Sequence, residues 1–156
     1  MEQDFEIAPF TLKEYDEAFA LWSRTPGMGL SAADQREPIA TFLERNPGLS
    51  FAGRIGGTLV GTALCGSDGR RGYLYHLAVD QGQRRRGLGT RLASAGLLAL
   101  ASAGIEKCHL FLISGNELGA AFWSALGWTK RDDIIVFSKN LELDGGSVAR
   151  ERSRRH

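Results

Sequence analysis

The chain has 156 residues with a net charge of +1, and 43% of its residues are hydrophobic and 24% charged. This is the length of one domain, and the composition excludes a disordered chain, a collagen-like repeat and a coiled coil. The longest uncharged stretch, Leu92–Ile105, has only 14 residues, whereas a bilayer span needs about 20. Residues 1–4 are acidic and do not resemble a secretory signal. We therefore expect a cytoplasmic protein with no membrane partner.

The first half of the chain predicts a strand, two helices and an antiparallel meander of three strands. Alternating residues at 5–10 predict an edge strand, and a capping box with helical spacing predicts a helix over residues 11–24. Ser31 and Asp34 offer the cap of a second helix, which Asn46-Pro47-Gly48 ends. Glycine turns separate the three following strands, which are Leu49–Ile55, Thr58–Gly66 and Gly72–Val79.

The second half predicts a long helix at Gly87–Ala103 and a short one at Leu118–Leu126, together with three strands. The strands are Lys107–Ile113, Trp128–Lys130 and Ile134–Leu141. The order βααβββαβαβ predicts one α+β domain over residues 1–144. Its sheet is predicted to be mixed and mostly antiparallel, with six to seven strands flanked by about four helices.

The C-terminal segment Gly145–His156 is basic. It holds four arginines and one glutamate, a net charge of +3, which leaves −2 on residues 1–144. We expect this segment to be a disordered tail, because Gly145-Gly146-Ser147 precedes the charges. A nucleic-acid partner is disfavoured, since the rest of the chain is acidic and has no aromatic-basic surface pattern.

The two cysteines, Cys65 and Cys108, each stand in an apolar run without a CxxC partner. Isolated cysteines in apolar runs are typical of buried thiols in a reducing compartment. We therefore expect neither a disulfide nor a metal site.

Residues 77–92 join a buried strand to a long helix through a basic loop that contains glycine. The first amides of a helix have no intrahelical acceptor and lie at the positive end of its dipole, so such a loop binds phosphate. Gly87 and Gly89 would let a diphosphate approach the backbone, and the arginines 84–86 would add positive charge. The spacing Arg84-x-x-Gly87-x-Gly89 matches neither the P-loop nor the GxGxxG motif.

This loop, placed directly after Leu77-Ala78-Val79, resembles the central motif of the Gcn5-related N-acetyltransferase (GNAT) family. A second motif of the family is an asparagine followed at fixed spacing by an aromatic residue and a Gly-aromatic pair. Asn116, Trp123 and Gly127-Trp128 stand at those spacings. The resemblance runs from about Phe5 to Leu141 and implies the family's three-layer α/β fold. The run at 68–79 also resembles a bacterial subgroup of mostly uncharacterised members.

The resemblance implies acetyl-coenzyme A as the acetyl donor, an amine as the acceptor, and no metal. The diphosphate would lie on the amides of residues 85–90. The pantetheine arm would enter a splay between the strand ending at Val79 and the strand at 107–113. Amides near residues 77–78 would hold the oxyanion. The residues implied in cofactor binding are Leu77, Ala78, Val79, Arg84, Arg85, Arg86, Gly87, Leu88, Gly89, Thr90, Asn116 and Trp123.

The resemblance also implies direct attack of the amine on the thioester, without an acyl-enzyme. A base must deprotonate the amine, and His76 is one candidate, with Tyr73 and Tyr75 as alternatives for proton transfer. The family usually keeps a tyrosine as the acid for the leaving thiolate, but Trp123 stands at that position. An indole N–H donates a hydrogen bond without releasing its proton near neutral pH. Strand alternation predicts that Tyr73, Tyr75 and Leu77 share one face of the sheet and that His76 lies on the other.

Two functions follow from these residues. The first is an N-acetyltransferase acting on a primary amine of a small molecule or protein, in which case a homodimer is compatible with the sequence. The second is a catalytically weak regulatory module that binds acyl-coenzyme A. The missing tyrosine and the undecided base keep the second function open.

Overall fold

The structure is a computed structural model and describes residues 4–143, so the predicted basic tail at 145–156 lies outside the described residues. Nine helices and strands follow one another in this part of the chain. They are β1 (Phe5–Pro9), α1 (Tyr15–Ser23), α2 (Arg36–Arg45), β2 (Phe51–Ile55), β3 (Thr58–Ser67), β4 (Gly72–Val79), α3 (Leu88–Ser102), β5 (Cys108–His109) and α4 (Glu117–Ala125). Single turns of 3₁₀ helix lie at Leu12–Glu14, Ala32–Asp34 and Gln81–Gln83.

The sheet has the order β1-β2-β3-β4-β5. All neighbouring pairs are antiparallel except β4 and β5, which are parallel. The turn between β2 and β3 is Gly56-Gly57, whose φ angles of 56° and 82° only glycine adopts without strain. The meander follows from such short turns, whereas the parallel β4–β5 pair requires the crossover through α3.

Helices cover both faces of the sheet. On one face α1 and α2 pack on the sheet through a cluster around Trp22, Ile39 and Leu64. On the other face α3 packs through Leu92 and Leu100. Because both faces are covered, most of β3 is buried. In the described part of the chain, no helix is long and apolar enough to cross a membrane.

The two thiols differ in burial. Cys65 is fully buried under α3, at the place where Gly96 lets the helix lie close to the sheet. Burial raises the pKa of Cys65 to about 12 and that of the half-buried Cys108 to about 11. Both thiols are free, and the expectation of a buried thiol is therefore confirmed for Cys65.

The predicted α+β class and the four helices are confirmed, but the prediction of six to seven strands is wrong, because the sheet formed by residues 4–143 has five. The segments predicted as strands at 128–130 and 134–141 form none, and the strand predicted at 107–113 pairs only at Cys108 and His109. A strand exists only where a neighbour completes its hydrogen bonds. Within residues 4–143 no neighbouring strand lies beside these segments.

Candidate active site

A β-bulge interrupts β4 in its centre. Thr62 of β3 pairs with Ala78 and Leu64 pairs with Tyr75, so the one residue between them on β3 faces both His76 and Leu77. His76 has a φ of 48°, in the left-handed region that a non-glycine residue rarely adopts. The bulge bends the strand and gives it an irregular backbone at the point where the sequence predicts the reacting groups.

A hydrogen-bonded chain from α1 holds the bulge. The indole N–H of Trp22 donates to the Thr62 hydroxyl oxygen at 2.9 Å, and that hydroxyl donates to the carbonyl oxygen of His76 at 2.8 Å. The Trp22 and His76 rings also pack with their centroids 4.7 Å apart. The indole N–H, the Thr62 hydroxyl and the His76 carbonyl are all hydrogen-bonded, and the packed Trp22 ring adds to these contacts. Together they hold the backbone of His76 at its unusual φ.

The bulge also changes which side chains share a face. Tyr75 packs with the α1–α2 cluster, and His76 contacts Trp22 of the same cluster, whereas Leu74 and Leu77 pack under α3. The prediction that Tyr75 and Leu77 share a face opposite His76 is therefore wrong. An inserted residue shifts the alternation by one, and simple periodicity contains no information about it.

His76 faces a buried carboxylate. Its Nε2 lies 2.5 Å from Oδ1 of Asp34, which is in the turn between α1 and α2. The two side chains are only 14% and 10% exposed. A carboxylate at this distance fixes the ring orientation and favours the tautomer with hydrogen on Nε2, which leaves Nδ1 as a proton acceptor.

Asp34 is itself held in place from two sides. Its Oδ2 accepts the backbone N–H of Ser31 at 2.8 Å, as the second half of a capping box, and the Tyr15 hydroxyl donates to its carbonyl oxygen at 2.7 Å. The sequence pattern predicts Asp34 only as a cap and does not indicate its contact with His76. The cap pattern was the only available sequence signal, because 42 residues separate the two side chains.

The strands β4 and β5 separate shortly after they begin. They pair only at Gly72–Cys108 and Tyr73–His109, and beyond His109 the described chain provides no strand partner for the rest of β4 on this side. We call the region beyond these last pairs, where no described strand lies beside β4 on this side, the opening between the two strands. It lies where the sequence predicts a splay between the strand ending at Val79 and the segment 107–113.

The loop after β4 leads into the N-terminus of α3. Gly87 is the N-cap of α3 with a φ of 76°, and the first helical hydrogen bond runs from Arg91 N to Gly87 O at 3.1 Å. The amides of residues 88–90 therefore have no intrahelical acceptor and lie at the positive end of the helix dipole. Gly89, in the first turn of α3, lies beside α4, because a Cβ there would be at an ordinary contact distance of 3.4 Å from the Phe122 ring.

Charged side chains fix the same loop. The Arg24 guanidinium donates to Oδ2 of Asp80 at 3.0 Å, which ties the end of α1 to the start of the loop. This hydrogen bond holds the pKa of Asp80 below its ordinary value. The Nε–H of Arg84 donates to the Val79 carbonyl oxygen at 3.3 Å, and Arg86 donates to the side chain of Gln83. Arg85 has a φ of 67°, so the backbone turns sharply before α3.

Helix α4 brings the second predicted motif to this loop. Oδ1 of Asn116 accepts the backbone N–H of Gly119 at 2.9 Å and caps α4, while a Cβ at Gly27 would lie 3.7 Å from Nδ2 of Asn116. Trp123 packs edge-to-face on Phe122 and Trp128, with centroids 4.9 and 5.1 Å away. The indole of Trp123 is thus part of an aromatic cluster beside the loop.

Aromatic side chains of α2, β4 and the segment after β5 form a cluster that we call the aromatic wall. Tyr73 stacks on Tyr75 and Phe111, and Phe42 meets Tyr75 edge-on, with centroid distances between 6.0 and 6.5 Å. Burial raises the pKa of Tyr75, so its hydroxyl keeps its proton above the ordinary range. Ile113 lies close to the loop between α1 and α2, since a Cβ at Gly29 would be 3.6 Å from its Cδ1.

Residues 4–143 contain no group of three or more His, Cys, Asp or Glu side chains that could hold a metal ion. The predicted residues come together from three separate parts of the chain. The β4 bulge holds His76, Leu77 and Ala78, the start of α3 holds the predicted diphosphate loop, and α4 holds Asn116 and Trp123.

The profile of the acetyltransferase (GNAT) family matches residues 13–128, and the chain belongs to that family. The class of protein is therefore that of the N-acetyltransferases. An acetyltransferase of Sodalis glossinidius, SG1711, is 27% identical over 139 residues, which cover 89% of this chain and 97% of the relative. The predicted family membership is therefore confirmed.

Solved structures have the same fold. A PaiA N-acetyltransferase from Thermoplasma acidophilum, solved in complex with coenzyme A, superposes with a TM-score of 0.71 at 16% identity, over 83% of this chain and 92% of that one. The aminoglycoside N-acetyltransferase AAC(6')-Iy, solved with a bisubstrate analogue, superposes with a TM-score of 0.70 at 17% identity, over 88% and 99% of the two chains. At sequence identities of 16% and 17%, these superpositions show that the fold is shared and nothing further.

Proposed function

We propose that this chain transfers the acetyl group of acetyl-coenzyme A to a primary amine of a small molecule or protein, in a ternary complex without an acyl-enzyme. The observation that carries the proposal is the separation of β4 from β5, together with the N-terminus of α3 at the end of β4, where the amides of residues 88–90 have no intrahelical acceptor. An extended pantetheine arm can pair with main-chain groups in such an opening, and its diphosphate can bind at the helix N-terminus. The similar Thermoplasma acidophilum structure contains coenzyme A.

We propose His76 as the general base. Its imidazole is held at the bulge, and Asp34 beside Nε2 leaves Nδ1 to accept a proton. The amine lone pair attacks the thioester carbonyl carbon while a proton passes from the nitrogen to the imidazole. The oxyanion is stabilised by a backbone N–H at the bulge, for which the amides of Leu77 and Ala78 are the candidates. The tetrahedral intermediate then collapses, the C–S bond breaks, and coenzyme A leaves as a thiolate.

We propose that Trp123 packs the cofactor pocket and donates no proton. Its ring lies between Phe122 and Trp128, and it has no hydroxyl. The proton for the thiolate then comes from water or from the aromatic wall, where Tyr73 and Tyr75 carry hydroxyls. A thiol has an ordinary pKa of about 8.5, so the leaving thiolate needs little acid assistance.

The acceptor amine is proposed to enter between the aromatic wall and the loop that joins α1 to α2. Gly27 and Gly29 of that loop lie opposite Asn116 and Ile113. Stacked aromatic rings favour cationic or apolar groups, so an amine attached to such groups fits this wall. AAC(6')-Iy, which has the same fold, is an aminoglycoside acetyltransferase.

An amine panel tests the proposal directly. Purified protein is incubated with acetyl-coenzyme A and one amine at a time, drawn from polyamines, aminoglycosides, amino-acid amides and peptides with free N-termini. Free coenzyme A is measured with a thiol reagent, and acetylated amine by mass spectrometry. We expect stoichiometric release of both products with at least one amine class. Tight binding of coenzyme A with no thiol release for any amine would favour the regulatory module instead.

A further inference from the structure

The main-chain amides after the bulge of β4 point in different directions. Just past the end of β4, the Asp80 N–H donates to the Val60 carbonyl oxygen at 2.7 Å. In an antiparallel ladder, residues that exchange hydrogen bonds alternate with residues whose groups point away from the partner strand. The register places Thr62 opposite Ala78, two residues further along both strands. The alternation therefore directs the Ala78 N–H at β3, where it is not free to bind a ligand.

The Leu77 N–H points the other way. The Thr62 hydroxyl donates to the His76 carbonyl oxygen at 2.8 Å, so that carbonyl points toward β3. The C=O and N–H of one planar trans peptide point in opposite directions, and the Leu77 N–H belongs to the same peptide as the His76 carbonyl. Strand alternation gives the same direction, because Leu77 directly precedes Ala78. The Leu77 N–H therefore points away from β3, toward the side of β4 on which the opening lies.

The bulge makes the Thr62 hydroxyl necessary. The additional residue of a bulge has no partner in the ladder, so the His76 carbonyl needs a donor from elsewhere. Thr62 has no exposed surface, and water cannot reach this position. Its hydroxyl supplies the donor that the ladder lacks.

Trp22 fixes the direction in which this hydroxyl donates. The indole N–H donates to Oγ1 of Thr62 at 2.9 Å, and Trp22 is itself buried. A hydroxyl has only one proton, and since a lone pair of the oxygen faces the indole, that proton is left for the His76 carbonyl. The Trp22 ring also packs on the His76 imidazole. One side chain thus contacts the proposed base and holds the peptide that follows it.

We propose that Thr62, fixed by Trp22, is a positioning residue for acetyl transfer: its hydroxyl turns the His76–Leu77 peptide so that the Leu77 N–H, and not the Ala78 N–H, binds the thioester oxygen. The inference rests on the proposed function, because it names the donor for the oxyanion of that reaction. The donor is already oriented before the substrate binds, so the backbone need not reorganise as charge develops on the oxygen. One bulge then sets both the base and the oxyanion donor.

The first test separates positioning from packing. Thr62→Val keeps the shape of the side chain and removes the hydroxyl. Loss of a whole oxyanion donor costs about 100-fold or more in kcat, so misdirecting one should cost about tenfold or more with a working amine. The Kd for coenzyme A, measured by calorimetry, should stay within about threefold, because this interaction forms only in the transition state. Thr62→Ser keeps the hydroxyl and should recover kcat to within about threefold of the wild type.

Ser50→Ala is the matched control, because it removes another buried hydroxyl that is bonded to β3. The Ser50 Oγ accepts the Cys65 N–H at 3.0 Å, away from the bulge, and Ser50 is buried. This variant should melt earlier, as Thr62→Val should, and should keep kcat within about twofold of the wild type. An equal loss of kcat in both variants would mean that Thr62 only stabilises the sheet.

The second test identifies the amide and needs no turnover. Protein labelled with ¹⁵N is titrated with coenzyme A and, separately, with the dethia analogue of acetyl-coenzyme A. In this analogue CH₂ replaces the sulfur, so its carbonyl can bind but the acetyl group cannot be transferred. Between the two complexes, the Leu77 amide proton should move downfield more than any other amide proton of β4, because only the analogue has the carbonyl acceptor. In Thr62→Val the same shift should be smaller.

Three outcomes would overturn the proposal: a larger shift at the Ala78 amide than at Leu77, a wild-type kcat in Thr62→Val, or a Thr62→Ser variant as slow as Thr62→Val. If Thr62→Val does not fold, the wild-type spectra decide. An analogue that does not bind contradicts the proposed function. An analogue that binds and shifts a different amide contradicts only the role of Thr62 and Leu77.

Discussion

Nε2 of His76 lies 2.5 Å from Oδ1 of Asp34, and this contact joins the bulge of β4 to the turn between α1 and α2. Both side chains are nearly buried; the Thr62 hydroxyl donates to the main-chain carbonyl of His76, and the Ser31 N–H donates to the Asp34 carboxylate. A histidine with a fixed ring and a carboxylate on one nitrogen is suited to accept a proton on the other.

The His76–Asp34 pair gives the first prediction. His76→Gln should lower kcat by about 100-fold or more, the usual contribution of a general base. Asp34→Asn should lower kcat by about tenfold, since an orienting partner contributes less than the base. The measurement is kcat with a working amine.

Ser31→Ala is the control for Asp34. It removes the other half of the capping box, the bond from Ala33 N to Ser31 Oγ, and leaves the carboxylate in place. If this variant loses as much kcat as Asp34→Asn, the turn matters and the carboxylate does not orient His76.

A second prediction concerns the backbone of the diphosphate loop. Gly87→Ala forces a side chain into a φ of 76°, which costs about 1 kcal/mol, and should raise the KM for acetyl-coenzyme A roughly tenfold. Gly104→Ala introduces the same strain, at a φ of 89° and in open space, but at the far end of α3. Both variants should melt earlier, and only the first should bind the cofactor more weakly. If Gly87→Ala and Gly104→Ala have the same KM for acetyl-coenzyme A, the diphosphate does not bind at the loop before α3.

Asn116 provides a third prediction. Its Oδ1 caps α4 by accepting the Gly119 N–H, and its Nδ2 is expected to donate a hydrogen bond to coenzyme A. Asn116→Ala should lose the cap of α4, about 1 kcal/mol of stability, and should bind coenzyme A more weakly by about 1 kcal/mol, the value of one hydrogen bond. Asn116→Asp keeps an oxygen for Gly119 N–H and loses the Nδ2 donor. It should melt like the wild type and still bind weakly in calorimetry. If Asn116→Asp binds coenzyme A as tightly as the wild type, Asn116 serves only as the cap of α4.

Position 123 gives a fourth prediction. Trp123→Tyr and Trp123→Phe both remove ring contacts with Phe122 and Trp128, so both should be destabilised, by about 1–3 kcal/mol. Comparing the two isolates the added hydroxyl. If Trp123 only packs, their kcat values should agree within about twofold, as general acid assistance to a good leaving group is small. A clearly faster Tyr variant would mean that the wild type lacks an acid at this position.

The fifth prediction is a pH dependence of stability from Asp80. The hydrogen bond from Arg24 lowers the pKa of Asp80 in the folded protein, so its contribution is fully present above the unfolded pKa. It is lost as the pH falls through the lower, folded value. Asp80→Asn should therefore lower the melting temperature at pH 6 by an amount equivalent to less than about 1 kcal/mol, because the pair is partly exposed.

The same variant should differ less and less from the wild type as the pH falls from about 4 through the lower pKa of folded Asp80, because only below that pKa is the carboxyl protonated in both states. Asparagine keeps an acceptor for Gly82 N–H, so the turn after β4 is retained. A difference that stays constant from pH 6 to pH 3 would exclude the ion pair as its cause.

The sequence could predict the elements whose information is local. Capping residues and helical spacing placed α1 and α2, the paired glycines placed the turn between β2 and β3, and Gly87 marked the start of α3. The order of these elements, with two spaced motifs, was sufficient for the fold class and for the family. Each of these inferences depends on residues that are near neighbours along the chain.

Tertiary structure alone decided the rest. The bulge places His76 on the face of Tyr75, because one inserted residue reverses the alternation and leaves no periodic trace. The contact between Asp34 and His76 joins residues that are 42 positions apart. The segment at 134–141 has the sequence of a strand but forms none, because a strand depends on a partner as much as on its own residues. Sequence by itself determined which segments favour helix or strand, and the three-dimensional arrangement determined which of them find a neighbour.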